Sequence, residues 1–209
     1  VKTMLPWHDQ LQQQGITVRG PLTRLPSEED LTQTESRLKL RFPESYRRFC
    51  TELGPGRLGD LLEIWVPWHT KGFFDAPRDI RTRLGSLVDA SGGTRQALKE
   101  KAIQFGYVVL GAPPIPRVIN NRSAELFFLP SETTEGDEST IYALDHRTPH
   151  GTPPRLVKLA RSFTALVLEG FAGKRLTRLP FVSAPGADQF APEYNPRELP
   201  APWSPTASD

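Results

Sequence analysis

Residues 26–68 constrain the fold more than any other stretch of this chain. Ser27 followed by Glu28, Glu29 and Asp30 has the form of a helix start. A hydroxyl there can accept a free N–H, and the carboxylates sit at the positive end of the helix dipole. Leu31 and Leu38, seven residues apart, share a face, so a helix is predicted over 28–38. Pro43 suits a first helical position, where a missing N–H costs nothing. Tyr46, Phe49, Cys50 and Leu53 then recur at i, i+3, i+4 and i+7, the repeat of a helix with one apolar face. Gly54 is placed to cap it in the left-handed region. The run LLEIWV at 61–66, between Gly59 and Pro67, reads as a strand covered on at least one side.

Beyond this stretch, helices are predicted over 79–87 and 95–104, separated by Ser91-Gly92-Gly93. Strands are predicted over 107–110, 125–129 and 140–144. A last helix is predicted over 158–171, with Leu159, Phe163, Leu166, Val167 and Gly170 inside, Lys158, Ser162, Ala165 and Glu169 outside, and Gly173 as its stop. Helices and strands are segregated rather than alternating. That argues an α+β fold, a single domain with a mostly antiparallel sheet flanked by helices. Its expected span is 26–184. Residues 1–25 read as a lead-in, irregular or partly helical, with Trp7 and Leu11 one helical turn apart. Residues 185–209 hold six prolines and four acids against one base. Such a tail buries little surface and is expected to lie extended, with Tyr194 and Trp203 as candidate anchors.

Composition sets outer limits. The 209 residues suit one domain, and the 21 prolines, about twice the average usage, cluster in loops and the tail. A net charge of +2 does not by itself call for a nucleic-acid partner. One cysteine, Cys50, excludes an intrachain disulfide and fits a reducing compartment. No apolar run approaches the roughly 20 residues that span a membrane. The first residues lack the apolar core of a signal peptide. A cytoplasmic, bacterial protein is the expectation.

Few residues invite chemistry. His146 and His150 stand four apart, but the prolines and glycine around them prevent a helix from fixing them on one face. Together with His8 and His69 they read as solvated loop residues, and no metal or cofactor is expected. Cys50 lies on the inner face of its helix and reads as a small hydrophobe rather than a nucleophile. The glycines from Gly54 to Gly59 follow a helix and precede a strand, the reverse of a nucleotide-binding loop, and read as a turn. Ser162 lacks the context of a catalytic serine. Glu28, Glu29 and Asp30 are explained by their helix start. The protein is expected not to be an enzyme.

Two charge runs stand out. From Ser123 to His146 there are six acids (Glu125, Glu132, Glu135, Asp137, Glu138 and Asp145) and no Lys or Arg. From Arg155 to Arg178 there are six bases and a single acid, Glu169. Either run can be a solvated face. The acids could also dock a basic protein, and Glu132, Glu135, Asp137 and Glu138, with Trp68 as an aromatic anchor, are the candidate partner-binding residues. The bases lack interleaved aromatics, so nucleic acid is the weaker expectation. Trp65, on the strand, is expected in the core.

The order of these motifs resembles the SUKH superfamily, which takes in yeast cell-wall-synthesis regulators and many bacterial immunity proteins. The first motif is carried by Glu35, Phe42-Pro43, Glu44, Tyr46 and Phe49, then Gly54, Gly56 and Gly59, then the strand at 61–66. The second is carried by Ile141 to Asp145 and by Ala160, Ser162 and Phe163. The chain departs from the family in having Gly54-Pro55-Gly56 where Asn-Gly-Gly is common, and in a proline-rich stretch at 111–122. The resemblance implies a non-catalytic protein-binding domain, an immunity protein that neutralises a nuclease or deaminase toxin by stoichiometric binding. The alternative it implies is an intracellular regulator or scaffold that binds a host protein.

Overall fold

The structure, a computed structural model, describes residues 5–20, 24–59, 61–67, 102–109, 123–134, 137–145, 155–176 and 191–197. The helix predicted over 79–87, most of that over 95–104, and Trp68, Glu135, His69, His146, His150 and Trp203 lie outside these residues. So do the side chains of Glu132 and Asp145. Among the described residues no helix is long and apolar enough to cross a membrane.

Among the described residues there are four helices and eight strands. Helix α1 (Trp7–Gln13) precedes a short strand β1 (Thr17–Val18). Helix α2 (Glu28–Leu38) has the predicted bounds, and its start is closed by a capping box. Ser27 Oγ accepts from the Asp30 N–H at 3.1 Å, while the Asp30 carboxylate accepts from the Ser27 N–H at 2.9 Å. Helix α3 (Glu44–Glu52) begins one residue later than expected, because Pro43 takes the N-cap with extended backbone. Proline offers no side chain to cap with, so the first turn is served from elsewhere. Glu138 accepts from the Ser45 N–H at 2.9 Å and from Ser45 Oγ at 2.6 Å, and the Asp137 carbonyl accepts from the Glu44 N–H. Gly54 ends α3 at φ 73°, in the left-handed region, where an added Cβ would also meet Leu25 Cδ2 at 2.8 Å.

The strands β2 (Gly56–Leu58), β3 (Leu62–Ile64), β4 (Ile103–Val109), β5 (Ser123–Thr134), β6 (Glu138–Asp145), β7 (Arg155–Ala160) and β8 (Glu193–Pro196) complete one sheet in the order β1-β8-β2-β3-β4-β5-β6-β7. Every pairing is antiparallel except β1 with β8. The fold is thus α+β with a mostly antiparallel sheet, as the segregated elements predict.

Five local expectations are corrected. Residues 56–58, read as turn, form β2 and make a hairpin with β3 about Gly59. Residues 103 and 104, expected at the end of a helix, open β4. The helix predicted over 158–171 is two elements: Lys158–Ala160 belong to β7, and the helix proper follows as α4 (Ala165–Ala172), wound in the wide π form. Apolar residues at Leu159, Phe163 and Leu166 mimic a helical stripe across a strand-to-helix junction. Ala165, placed outside by that reading, is buried, and Ser162 is not merely solvated: its Oγ accepts from the Ala165 N–H at 3.0 Å at the start of α4.

The helices cover one face of the sheet, and the core between them is aromatic. Tyr46, Phe49, Cys50 and Leu53 of α3 are all buried, as their spacing requires. Around Tyr46 and Phe49 stand Trp7, Phe42, Phe105, Phe128, Phe163 and Tyr194, with neighbouring ring centroids 5.1 to 6.2 Å apart, mostly edge-to-face. Burying each such ring stabilises the fold by about 1.5–3 kcal/mol. The lead-in and the tail both enter this core, through Trp7 and Leu11 and through Tyr194. Tyr194 Oη also donates to the Gly54 carbonyl at 2.7 Å.

A candidate partner-binding face

Alternation along the strands sends the opposite set of side chains to the other face. Leu58, Leu62, Ile64 and Val108 point to the core; Arg57, Glu63 and Tyr107 point away, and Trp65, just beyond β3, packs against the core's edge while its indole reaches Glu63. The register aligns them across the sheet. Asn195 lies opposite Arg57, Arg57 opposite Glu63, Glu63 opposite Tyr107, and Tyr107 opposite Glu125.

Glu63 is the centre of this row. It is 4% exposed, although it is ionisable and on the face away from the core. Four donors compensate for its lost water. Tyr107 Oη at 2.6 Å and Arg57 Nε at 2.9 Å donate to Oε2; Arg197 Nη1 at 2.9 Å and Trp65 Nε1 at 3.3 Å donate to Oε1. Burial pushes the Glu63 carboxyl up, but the hydrogen bonds from Tyr107 and Arg57 and the charge of Arg197 outweigh it and hold it below the ordinary range. Burial, and then donation to Glu63, raise the Tyr107 phenol. Trp65, expected in the core, is only partly buried; its ring stands edge-to-face with Tyr107 at 5.8 Å.

Sequence reasoning missed this cluster. Glu63 reads in LLEIWV as an ordinary outward residue, and its ionic partners lie 6 and 134 residues away. The one available signal was an acid inside an otherwise apolar strand.

The sequence-predicted residues are placed as follows. Glu132 lies on β5, Asp137 is exposed in the turn at φ 59°, and Glu138 opens β6, half-buried, where it caps α3. Burial raises the Glu138 carboxyl, although the Ser45 hydrogen bonds act to lower it. Glu125 and Asp145 lie at the far end of the same hairpin, so the six acids do not form one patch. The basic run is likewise divided. Arg161 and Arg175 bridge Glu169 at 3.1 and 3.0 Å, at the mouth of a cavity of about 190 Å³ between β7 and α4, whereas Lys158 projects from β7.

The motif residues lie within the folded body. Glu35 accepts from the Phe42 N–H at 2.7 Å and pairs with Arg47, which also reaches Glu28. Tyr46, Phe49 and Phe163 build the core, Gly56 lies against Tyr194, and Asp145 ends β6 opposite Arg155. Cys50 is fully buried, and burial pushes its thiol far up, away from thiolate chemistry. Among the described residues no group of His, Cys, Asp and Glu could hold a metal.

No curated protein and no solved structure matches the chain. A family model does match, over residues 25–169, more than half of the sequence and the span that holds both motifs. The chain belongs to the SMI1 / KNR4 family (SUKH-1).

Proposed function

We propose that this protein is a non-catalytic binding domain, an immunity protein that neutralises a toxin by stoichiometric occlusion. Family membership is consistent with such a role. The observation that carries the reading is the face around Glu63. Arg57, Trp65, Tyr107 and Arg197 stand together there, each partly exposed, over a buried acid. Trp, Tyr and Arg are the side chains that dominate protein–protein binding energy. Asp137, exposed at the turn between β5 and β6, supplies an acidic contact that steers a cationic toxin, and Glu132, Glu135, Glu138 and Trp68 are the further candidates for it.

The test is titration calorimetry and a toxin-activity assay with the product of the neighbouring reading frame. One-to-one binding that abolishes the toxin's activity is expected. Reversing Glu135 and Asp137 to Lys, with Glu138 kept for its capping bond, is expected to slow association and flatten its salt dependence. A complex with a host regulatory protein instead of a toxin would transfer the domain to the regulatory role. Turnover of a substrate by the purified protein alone would end the binding-domain reading.

A further inference from the structure

The Glu63 cluster carries more positive charge than one buried carboxylate needs. Arg57 and Arg197 both pair with it, each at 2.9 Å. Next to it, Arg19 and Glu193 pair with each other at 2.8 Å, and Glu125, opposite Tyr107 in the same row, has a partner of its own, so none of these offsets the surplus. A guanidinium has five N–H donors. Arg57 uses Nε on Glu63 and also meets the Tyr107 hydroxyl, and Arg197 uses Nη1 on Glu63, so each guanidinium keeps further N–H donors beyond these contacts. Both side chains are about two-fifths exposed, at 39% and 41%. Glu63 therefore orients two guanidiniums before any partner arrives, which lowers the ordering cost of binding.

We infer that Arg57 and Arg197, flanked by Trp65 and Tyr107, form a receptor for an Asp or Glu side chain of a partner protein. The inference rests on the protein-binding reading above. The planar fork of a guanidinium matches the two oxygens of a carboxylate. A nucleic acid fits less well. One surplus charge is too little to follow a phosphate backbone. The Trp65 and Tyr107 rings also pack edge-to-face on each other, at 79°, rather than presenting parallel platforms for bases.

Nitrogen-resolved NMR of the full chain tests this, with an acetylated, amidated tetraglutamate peptide as one probe and single-stranded oligothymidine as the other. Millimolar peptide is expected to shift the Arg57 and Arg197 Nε–H and Trp65 indole N–H signals to saturation. The R57Q/R197Q variant is expected to bind roughly tenfold more weakly, or worse. The double variant removes two donors from Glu63, so R197Q alone is measured beside it, with a thermal melt to establish that it is folded. Silent signals, undiminished binding by folded R197Q, or tighter binding of oligothymidine at the same signals would each overturn the inference. A partner that binds wild type and R57Q/R197Q equally would reject the carboxylate receptor and leave the protein-binding reading intact. A wild type with no protein partner would strike that reading, while the peptide titration still decides the receptor.

Discussion

Glu63 and Glu138 are acids of the same sheet with opposite electrostatic settings. Glu63 has a depressed pKa, so the stability it contributes is present above the unfolded carboxylate value, about 4.3, and is lost as pH falls through its folded pKa. Glu138 has a raised pKa, so its contribution is full below the unfolded value and is lost as pH rises through its folded pKa. Denaturant melts from about pH 3 to 7 should separate them. E63Q is expected to lose about 2 kcal/mol at neutral pH, because charged hydrogen bonds and a guanidinium pairing go with it, and to approach wild type in acid. E138Q, which can keep a Ser45 bond, should gain on wild type as pH rises. Parallel profiles for the two variants would contradict this assignment. Truncation is a different test of Glu138: E138A leaves the first turn of α3 without its borrowed cap and should cost about 1 kcal/mol. A melt unchanged by E138A would mean that water serves the Ser45 N–H as well.

At the level of elements, β3 and β4 meet most tightly at Gly106. On its other side β4 slips register against β5 between Gln104 and Gly106, and on the β3 side a Cβ on Gly106 would lie far inside contact distance of the Glu63 carbonyl oxygen. Backbone cannot yield as a side-chain tip can. G106A should therefore cost more than about 3 kcal/mol and disturb the Glu63 row next to it, read as a lowered melting temperature with a shifted Trp65 indole signal. A G106A protein of native stability would show that the two strands can part there. This bulge was not readable in the sequence, since a lone glycine in a strand does not say what approaches it. Helices α2 and α3 were readable to within a residue, because Ser27, Pro43 and Gly54 fix local dihedrals and caps without help from distant chain. Strand β2 was not: three residues, one of them Gly56, carry no periodicity, and its place depends on β3 and β8. The π form of α4 and the strand before it were hidden for a related reason, since a stripe of apolar residues does not record where one element gives way to the next. The Glu63 site failed hardest, because its ligands converge from β2, β4 and the residue after β8.

For the whole molecule, the decisive feature is where β8 lies. It is inserted between β1 and β2, pairing parallel with one and antiparallel with the other. Its Tyr194 fills the core against Phe49 at 5.6 Å, and the following residue but two, Arg197, serves Glu63. Deleting 191–209 should therefore do more than trim an extended tail. It removes a buried ring, detaches β1 and bares the edge of β2, an edge prone to pair with other chains. A large drop in melting temperature with self-association on size exclusion is expected. A monomeric, native-like truncation would show that the seven-residue segment 191–197 is an ornament. The same topology governs synthesis. The two ends of the sheet's near edge are joined by an ion pair that spans 174 residues, and contacts so remote in sequence form slowly. On a translating ribosome, everything from α1 to α4 emerges before β8 does, so the nascent chain must wait with a slot in its sheet open until its last strand clears the exit tunnel.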